Sequence, residues 1–429
     1  MNPATIGKFK LCNKLAEIGE IPVEWDVVRL GDESITVIRG NKTINTFEKI
    51  AFIPMDFISD SRIFIKYEMR SKNDVKSFTY CERGDLLLAK ITPSLENGKQ
   101  GIVPDSIPNG FGLATTEVFP ISCKGIDRLF LFYILKFPKF RNKIISSMIG
   151  TTGRQRASKQ SVENLQIPLP PLPEQRRIAE VLGTVDSAIQ KVGGAIESTE
   201  RLKKGLMQRL LTRGIGHERF KFSKELNTEI PEEWNVINLG RATEIIMGQS
   251  PPGDTYNTAM NGIYLINGPA EFGEKYPKPN KWTSEPTKIT KKNDVLICVR
   301  GHTTGRLNIS DKELCIGRGV AAIRNLPDAT YNMFIYYILD WMRNKIYGIS
   351  YAAGSIFPNI TSEQLNKLSI PLPPLPEQRR IAEILSAVDR KLELERRRKE
   401  KLERVKKGLM NELLTGRKRV KVENDGNIY

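Results

Sequence analysis

Hydrogen-bonding side chains in glycine-containing loops are the residues of this chain best suited to chemistry. Arginine, lysine, asparagine and glutamine can pair with the edges of nucleic-acid bases, and lysine and arginine also bind phosphates. A neighbouring glycine lets the backbone approach a phosphate closely. We expect the following loop residues to contact a nucleic acid: Lys90, Thr92, Ser94, Asn97, Lys99, Arg154, Gln155, Arg156 and Lys159 in the first half of the chain, and Gln249, Ser250, Arg300, His302, Thr303, Arg306, Ser355 and Asn359 in the second. A solvated polar turn is the alternative for each loop, and His302 is better explained as a surface histidine than as a metal ligand.

The charge balance favours the same kind of partner. The chain of 429 residues has 66 Lys and Arg against 49 Asp and Glu, a net charge of +17, which indicates a polyanionic ligand, with nucleic acid ahead of an anionic membrane. The most apolar run, residues 129–135, is far too short to span a bilayer, and the first residues lack the apolar core of a signal peptide. The five cysteines form no CxxC pair, and two histidines provide no zinc-ligand spacing. We therefore expect a cytoplasmic protein with reduced thiols, no metal and no membrane contact.

Motifs for catalysis are missing from the sequence. A translocase needs a phosphate-binding GxxxxGK[ST] loop, which does not occur. An adenine methyltransferase needs an Asn/Asp-Pro-Pro-aromatic tetrad, and the nearest string, SPPG at residues 250–253, has neither the amide nor the aromatic ring. The Pro-Asp pairs at residues 104–105 and 327–328 lack the acid-x-Lys partner of a nuclease, and no nucleophile–base pair is recognisable. The sequence predicts no catalytic residues and no cofactor.

Two copies of one fourteen-residue sequence organise the chain around these loops. IPLPPLPEQRRIAE occupies residues 167–180 and returns at residues 370–383, so the protein is an internal duplication. Pro173 and Pro376 suit the first position of a helix, and Glu174 and Glu377 place negative charge at the positive end of the helix dipole. Both junctions therefore predict the start of a long helix; a polyproline ligand is the alternative.

The residues after each junction repeat apolar side chains at alternating steps of four and three, which is the seam of a coiled coil. Both helices end alike, in KKGLMQRLLT (residues 203–212) and KKGLMNELLT (residues 406–415). Each is predicted to measure about 60 Å. Equal lengths and matching seams indicate that the helices pack on each other, and we expect Gly193 and Gly194 at a close mid-point contact with residues 395–399.

A globular domain precedes each helix. IPVEWDVVRLGD at residues 21–32 is echoed by IPEEWNVINLGR at residues 230–241, and both copies continue with short apolar strands and apolar helical stretches. This pattern predicts a mixed α/β fold. The predicted organisation is a first domain at residues 1–166, a first helical region at 167–216, a second domain at 217–369, a second helical region at 370–416 and a mobile tail at 417–429.

The repeated PLPPLPEQRRIAE junctions, KKGLMxxLLT helix ends and Ile-Pro-x-x-Trp domain starts resemble those of the specificity (S) subunits of type I DNA restriction–modification enzymes. The resemblance covers nearly the whole chain. It implies two target-recognition domains, each reading one half of a bipartite double-stranded DNA target. It also implies that two long antiparallel coiled-coil helices separate these domains with pseudo-twofold symmetry, in a subunit that is not itself catalytic.

The resemblance implies protein partners as well: two methyltransferase (M) subunits carried by the coiled coil, and restriction/translocase (R) subunits reached through the complex. Identical junctions suit two copies of one partner, so the candidate docking residues are Arg176, Arg177, Arg379 and Arg380; a solvated helix face is the alternative. The alternative function is a coiled-coil DNA-binding transcription regulator, which would usually show one helix-turn-helix and a homodimer seam.

Overall fold

The duplication read from the sequence is present in the fold. The computed structural model describes residues 13–16, 19–42, 47–151, 153–351 and 357–421. The chain divides into a first unit, made of the residues up to Val192 and those from Arg398 onwards, and a second unit, Gly193–Arg397. Each unit holds one mixed α/β domain together with one half of each long helix, which confirms the predicted fold class.

The first domain is built from short strands and helices. Its strands are β1 (Asn13–Ala16), β2 (Gly19–Pro22), β3 (Asp26–Arg29), β4 (Thr36–Ile38), β5 (Lys49–Ile53), β6 (Glu68–Ser71), β7 (Thr79–Glu82), β8 (Leu86–Ala89), β9 (Gln100–Ile102), β10 (Phe111–Ala114), β11 (Val118–Cys123) and β12 (Gln166–Leu169), and its helices are α1 (Arg128–Lys136), α2 (Pro138–Ser146) and α3 (Lys159–Glu163). The four-stranded sheets have the orders β6-β5-β10-β7 and β4-β11-β8-β9. Strand β12, which leads into the first long helix, pairs antiparallel with β3.

The second domain repeats this plan. After the first long helix, α4 (Leu172–Thr212), come the strands β13 (Phe220–Ser223), β14 (Thr228–Pro231), β15 (Asn235–Asn238), β16 (Thr243–Met247), β17 (Tyr256–Asn257), β18 (Ile263–Ile266), β19 (Trp282–Thr283), β20 (Val295–Cys298), β21 (Leu307–Ile309), β22 (Cys315–Ile316), β23 (Val320–Asn325) and β24 (Ser369–Leu372), with helices α5 (Leu239–Ala242), α6 (Asn332–Trp341), α7 (Arg343–Tyr351) and α8 (Ser362–Asn366). The sheet β16-β23-β20-β21 corresponds to β4-β11-β8-β9 of the first domain. The second long helix, α9 (Leu375–Leu413), follows β24.

Helix α1 shows why the most apolar run of the chain lies in the core. The carboxylate of Asp127 accepts hydrogen bonds from the backbone N–H groups of Leu129 and Phe130, each at 2.9 Å, and so satisfies donors that have no partner within the helix. All residues from 130 to 135 are buried in one hydrophobic cluster with Ile178 and Leu182 of α4. None of the helices in the described ranges combines the length and apolar character that crossing a bilayer requires.

The long helices run antiparallel within each unit, as predicted. In the second unit, Lys203 of α4 pairs with Asp389 of α9 at 2.8 Å, and Glu200, which comes earlier in α4, pairs with Arg396, which comes later in α9, also at 2.8 Å. In the first unit, late residues of α9 such as Met410 share the hydrophobic cluster with the early residues of α4. Opposed directions of this kind define an antiparallel pair.

The expected close contact at Gly193 and Gly194 is wrong. A Cβ atom built on either glycine would meet no heavy atom of the described residues within 4 Å. Both positions face open space, so the glycines do not make room for the bulky residues 395–399. Their absent side chains leave only the entropic penalty of glycine inside a helix.

The cysteines carry no disulfide in the described part of the chain. Cys81, Cys123, Cys298 and Cys315 are free thiols, and burial raises the pKa of Cys298 to about 11. Cys12 lies outside the described residues. The buried thiols therefore act as small apolar side chains.

Candidate nucleic-acid interface

The two candidate loops of the first domain meet through their backbones. The chain leaving β8 pairs with residues 155–157: the N–H of Ala157 donates to the carbonyl of Lys90 at 2.8 Å, and the N–H of Thr92 donates to the carbonyl of Gln155 at 3.0 Å. Residues 90–100, 151 and 153–159 thus form a single surface, which we call the first loop surface. The two loops are separate in the sequence, and the fold brings them together.

The second domain uses the same backbone framework. The N–H of Ile360 donates to the carbonyl of Val299 at 2.9 Å, and the N–H of Gly301 donates to the carbonyl of Pro358 at 2.8 Å. Arg300 and Asn359 are therefore partners in an antiparallel bridge. We call residues 248–250, 300–306 and 357–360 the second loop surface. Candidate Ser355 lies outside the described residues.

A turn at residues 317–319 joins Gln249 and Ser250 to this surface. Strands β16 and β20 both pair antiparallel with β23, so their carboxyl ends lie at the same edge of the sheet. There the N–H of Gly248 donates to Val320 and the N–H of Val299 donates to Gly319, both at 2.9 Å. The hydroxyl of Ser250 accepts a hydrogen bond from the N–H of Arg318 at 3.3 Å.

Arg318 is an exposed residue of this turn that the sequence analysis missed. A Cβ atom on Gly317 would lie 2.1 Å from the Asn267 side chain, and one on Gly319 would lie 2.3 Å from the Asn267 carbonyl. Only glycine fits on either side, so the turn presents Arg318 alone to solvent. The Gly-Arg-Gly triplet was the available signal. The equivalent turn of the first domain contains the exposed Thr116, next to the Glu117 carbonyl that accepts the Lys90 N–H at 3.0 Å.

Lys90 sits at the centre of the first loop surface in a partly buried position. Its ammonium group lies 5.0 Å from the centre of the Phe119 ring. Burial and the nearby positive charge of Arg156 lower the pKa of Lys90. The negative charge of Glu117 acts in the opposite direction, and an anion bound at this surface would do the same.

The other candidates of the first loop surface divide by exposure. Ser94 is buried, and the Lys99 ammonium donates to the carbonyl of Met55 at 3.3 Å, so these two side chains serve the loop itself. Lys159 pairs with Glu163 at 3.3 Å on the outside of α3. Thr92 and Gln155 are half-buried, and the exposed candidates are Asn97, Arg154 and Arg156.

Arg306 of the second loop surface is turned towards the protein. Its guanidinium donates to the carbonyls of Pro269 at 3.2 Å, Phe272 at 2.9 Å and Gly273 at 3.2 Å. These bonds hold residues 269–273 against the surface. The exposed candidates are Gln249, Arg300, His302 and Asn359, while Ser250 and Thr303 are half-buried. The described residues contain no cluster of His, Cys, Asp and Glu suited to a metal ion.

In the repeated Glu-Gln-Arg-Arg sequence, the glutamine side chains are buried and the arginine side chains are exposed. Gln175 is buried, accepts the N–H of Asp127 at 2.8 Å and donates to the carbonyl of Pro170 at 2.7 Å. Gln378 is buried too, accepts the N–H of Tyr331 at 3.0 Å and donates to a proline carbonyl at 2.9 Å. These buried roles escaped the sequence analysis.

The arginines of the same repeat face outwards. Arg176, Arg177, Arg379 and Arg380 are all exposed. Arg177 pairs with Glu180 at 2.6 Å, and Arg380 pairs with Glu383 at 3.3 Å. Exposed pairs one helical turn apart add little stability, and the Arg379 guanidinium also lies 5.2 Å from the centre of the Tyr331 ring.

Known proteins are similar to this chain in sequence. A family model described as the type I restriction modification DNA specificity domain matches residues 22–198 and 231–404. The putative type I restriction enzyme MjaX specificity subunit of Methanocaldococcus jannaschii is 37% identical over 421 residues, which is 95% of this chain and 97% of that protein. The MjaVIII specificity subunit of the same organism is 28% identical over 428 residues, which is 94% of each chain.

Solved structures agree with these relatives. One chain of a type I R-M system is 26% identical with a TM-score of 0.56, and the match covers 92% of this chain and 99% of that one. The type I restriction–modification S subunit of M. genitalium has the same fold, with a TM-score of 0.60 at 16% identity over 91% of this chain and 96% of that one. The chain contains two matches to the specificity domain and two repeated long helices, and it belongs to the family of type I restriction–modification specificity subunits.

Proposed function

We propose that each loop surface reads one half of a bipartite double-stranded DNA target. One observation supports this proposal. The two domains share a backbone framework at their loop surfaces but display different side chains on it. The bridge holds Ile91 opposite Arg156 in the first domain and Arg300 opposite Asn359 in the second. A shared framework suits one class of ligand, and different side chains suit two different base sequences.

Exposed arginines are the residues best placed for readout. Arg154 and Arg156 on the first loop surface and Arg300 and Arg318 at the second have the planar fork that pairs with guanine or with phosphate. The net charge of +17 adds a sequence-independent attraction to DNA. Arg306 contributes indirectly, by holding residues 269–273.

In this proposal, the paired helices and the repeated junctions position the half-sites and the partner subunits. The antiparallel helices set the distance between the half-sites, and each junction docks one methyltransferase subunit through its exposed arginines. Gln175 and Gln378 are buried, so packing inside the protein constrains the junction sequence. The exposed arginine pairs at residues 176–177 and 379–380 present two equal surfaces. The chain itself performs no chemistry in this proposal; it places M subunits, and through them R subunits, on DNA.

Domain exchange tests the proposal directly. Residues 20–166 are replaced with the equivalent domain of another specificity subunit, and methylated sites are mapped by sequencing in a host that carries the partner M subunit. Only one half of the recognised sequence should change. A change in both halves, or in neither, would contradict independent readout.

A further inference from the structure

Arg141 of α2 is a buried arginine that has no carboxylate partner among the residues that the structure describes. Its side chain is only 5% exposed, and burial lowers its pKa to about 10. The guanidinium donates to the carbonyl of Leu135 at 2.9 Å, to the carbonyl of Leu95 at 2.8 Å and to the Oε1 atom of Gln100. Placing a cation on neutral acceptors in the core is unfavourable for folding, which points to a role beyond stability.

Two of its acceptors belong to the first loop surface. The Leu95 carbonyl lies in the middle of residues 90–100 and also accepts the N–H of Gly98 at 3.0 Å, while the Leu95 N–H donates to Ile91 at 2.9 Å. Gln100 closes the loop where β9 begins, is fully buried, and donates to the carbonyl of Phe132 at 2.6 Å. Arg141 therefore ties the middle and the end of the loop to the helical layer beneath it.

The second domain lacks this arrangement. Its sequence repeats the Arg-Asn-Lys-Ile segment of residues 141–144 at residues 343–346, but the corresponding Arg343 is exposed. A buried arginine below the loop is thus a property of the first domain and not of the shared framework.

We propose that Arg141 is a positioning residue: it fixes the backbone of residues 91–100 and thereby the base preference of the first half-site, without touching DNA. The proposal rests on the function proposed for the first loop surface. A side chain that reads a base must be held within a fraction of an ångström. Loss of the three hydrogen bonds lets the loop backbone move and reduces its discrimination between bases.

The test uses the full chain co-expressed with its M subunit and compares Arg141→Met, Arg141→Lys and Arg128→Met. Methionine keeps the apolar stem, and lysine keeps the charge without the fork. Half-buried Arg128 of the neighbouring helix α1, which pairs with Asp105 at 2.7 Å, is the matched control. Methylation is measured at the cognate site and at sites with one substitution in either half.

Arg141→Met should reduce discrimination at the first half-site by about tenfold, as loss of one good base contact does, and leave the second half-site unchanged. Arg141→Lys should fall between Arg141→Met and the wild type, and Arg128→Met should match the wild type. Equal loss at both half-sites, or unchanged discrimination, would overturn the proposal. If Arg141→Met does not assemble, the comparison of Arg141→Lys with the control decides by the same criteria.

A substitution in the loop itself distinguishes a failure of the role proposed for Arg141 from a failure of the function proposed for the first loop surface. Asn97→Ala removes an exposed side chain of the first loop surface. If Asn97→Ala, Arg154→Ala and Arg156→Ala all leave the first half-site unchanged, the function proposed for the surface fails. If any of them alters that half-site while Arg141→Met does not, only the role of Arg141 fails.

Discussion

The indole N–H of Trp25 donates to the buried carboxylate of Glu174 at 3.1 Å, although the two residues lie 149 positions apart. The second copy repeats the bond between Trp234 and Glu377 at 3.0 Å. The start of each long helix is thus bonded to the start of its own domain. In the first copy the carboxylate is also held by Arg419, at 2.6 and 2.8 Å.

The Glu174–Arg419 pair should stabilise the first unit. We expect Glu174→Gln to lower the free energy of unfolding by about 1–3 kcal/mol, because a buried charge-assisted hydrogen bond is lost. Arg419→Ala should have a smaller effect, and the double variant should be less than additive because the residues share one interaction. Urea unfolding of the four proteins measures the coupling; strict additivity would mean that the pair contributes nothing.

Arg156 and Arg300 should act on different half-sites. We expect Arg156→Ala to relax one position of the first half-site and Arg300→Ala one position of the second, each by about 1–3 kcal/mol of binding free energy. If an arginine binds only phosphate, affinity should fall on every sequence and its salt dependence should weaken. Binding to a set of singly substituted duplexes at several salt concentrations separates these results, with Arg213→Ala, an exposed residue outside both loop surfaces, as the control. No change in affinity, base preference or salt dependence would leave a solvated loop as the better explanation.

Gly193 and Gly194 should be replaceable by alanine with a gain in stability. Each substitution should raise the free energy of unfolding by about 1 kcal/mol, because alanine has the higher helix propensity and its methyl group would enter open space. Gly31→Ala is the opposite control, since its Cβ would lie 2.5 Å from the Glu163 side chain. Thermal unfolding followed by circular dichroism distinguishes the two groups; a loss of stability at Gly193 would reveal a packing contact there.

Lys136 should make stability rise with pH in mildly alkaline solution. Burial and the charge of Lys406 lower the pKa of Lys136 to about 8, whereas the ordinary pKa of a lysine is 10.5. Between these values the unfolded chain binds a proton that the folded chain does not, so the free energy of unfolding increases with pH. Lys136→Met should flatten this rise. Urea unfolding from pH 7 to pH 10 measures both slopes, and parallel profiles would exclude Lys136 as the source.

The helices should act as a ruler under the proposed function. One heptad inserted at matching places in α4 and α9 adds about 10 Å of helix and keeps the seam in register. The non-specific gap of the methylated sites should lengthen by about 3 base pairs, at 3.4 Å per pair, while the half-sites stay unchanged. Full activity at the original spacing would contradict the ruler.

Much of the fold could be predicted because it is written in local patterns. The fourteen-residue repeat, the apolar steps of four and three and the Trp25 and Trp234 domain starts sufficed for the duplication and for two antiparallel helices. Pairing of residues 90–92 with residues 155–157 could not be predicted, because it depends on a contact some 65 positions apart in a bridge made by backbone atoms alone.

Side-chain direction was the other limit. Composition cannot distinguish Arg306, which binds carbonyls of its own domain, from Arg300, which is exposed. It also gives no sign that the Glu174 of a helix start will meet an arginine 245 positions later. These outcomes depend on which groups the finished fold leaves without a hydrogen-bond partner.

The bridge between residues 299–301 and 358–360 has an evolutionary consequence. Its hydrogen bonds use only main-chain atoms, so mutation can replace the exposed side chains of Arg300 and Asn359 without removing a bond that folding requires. Under the proposed function, new base preferences can therefore arise by substitution at a few solvent-facing positions while the scaffold keeps its stability. The two domains could then diverge in the sequence they recognise and remain alike in how they fold.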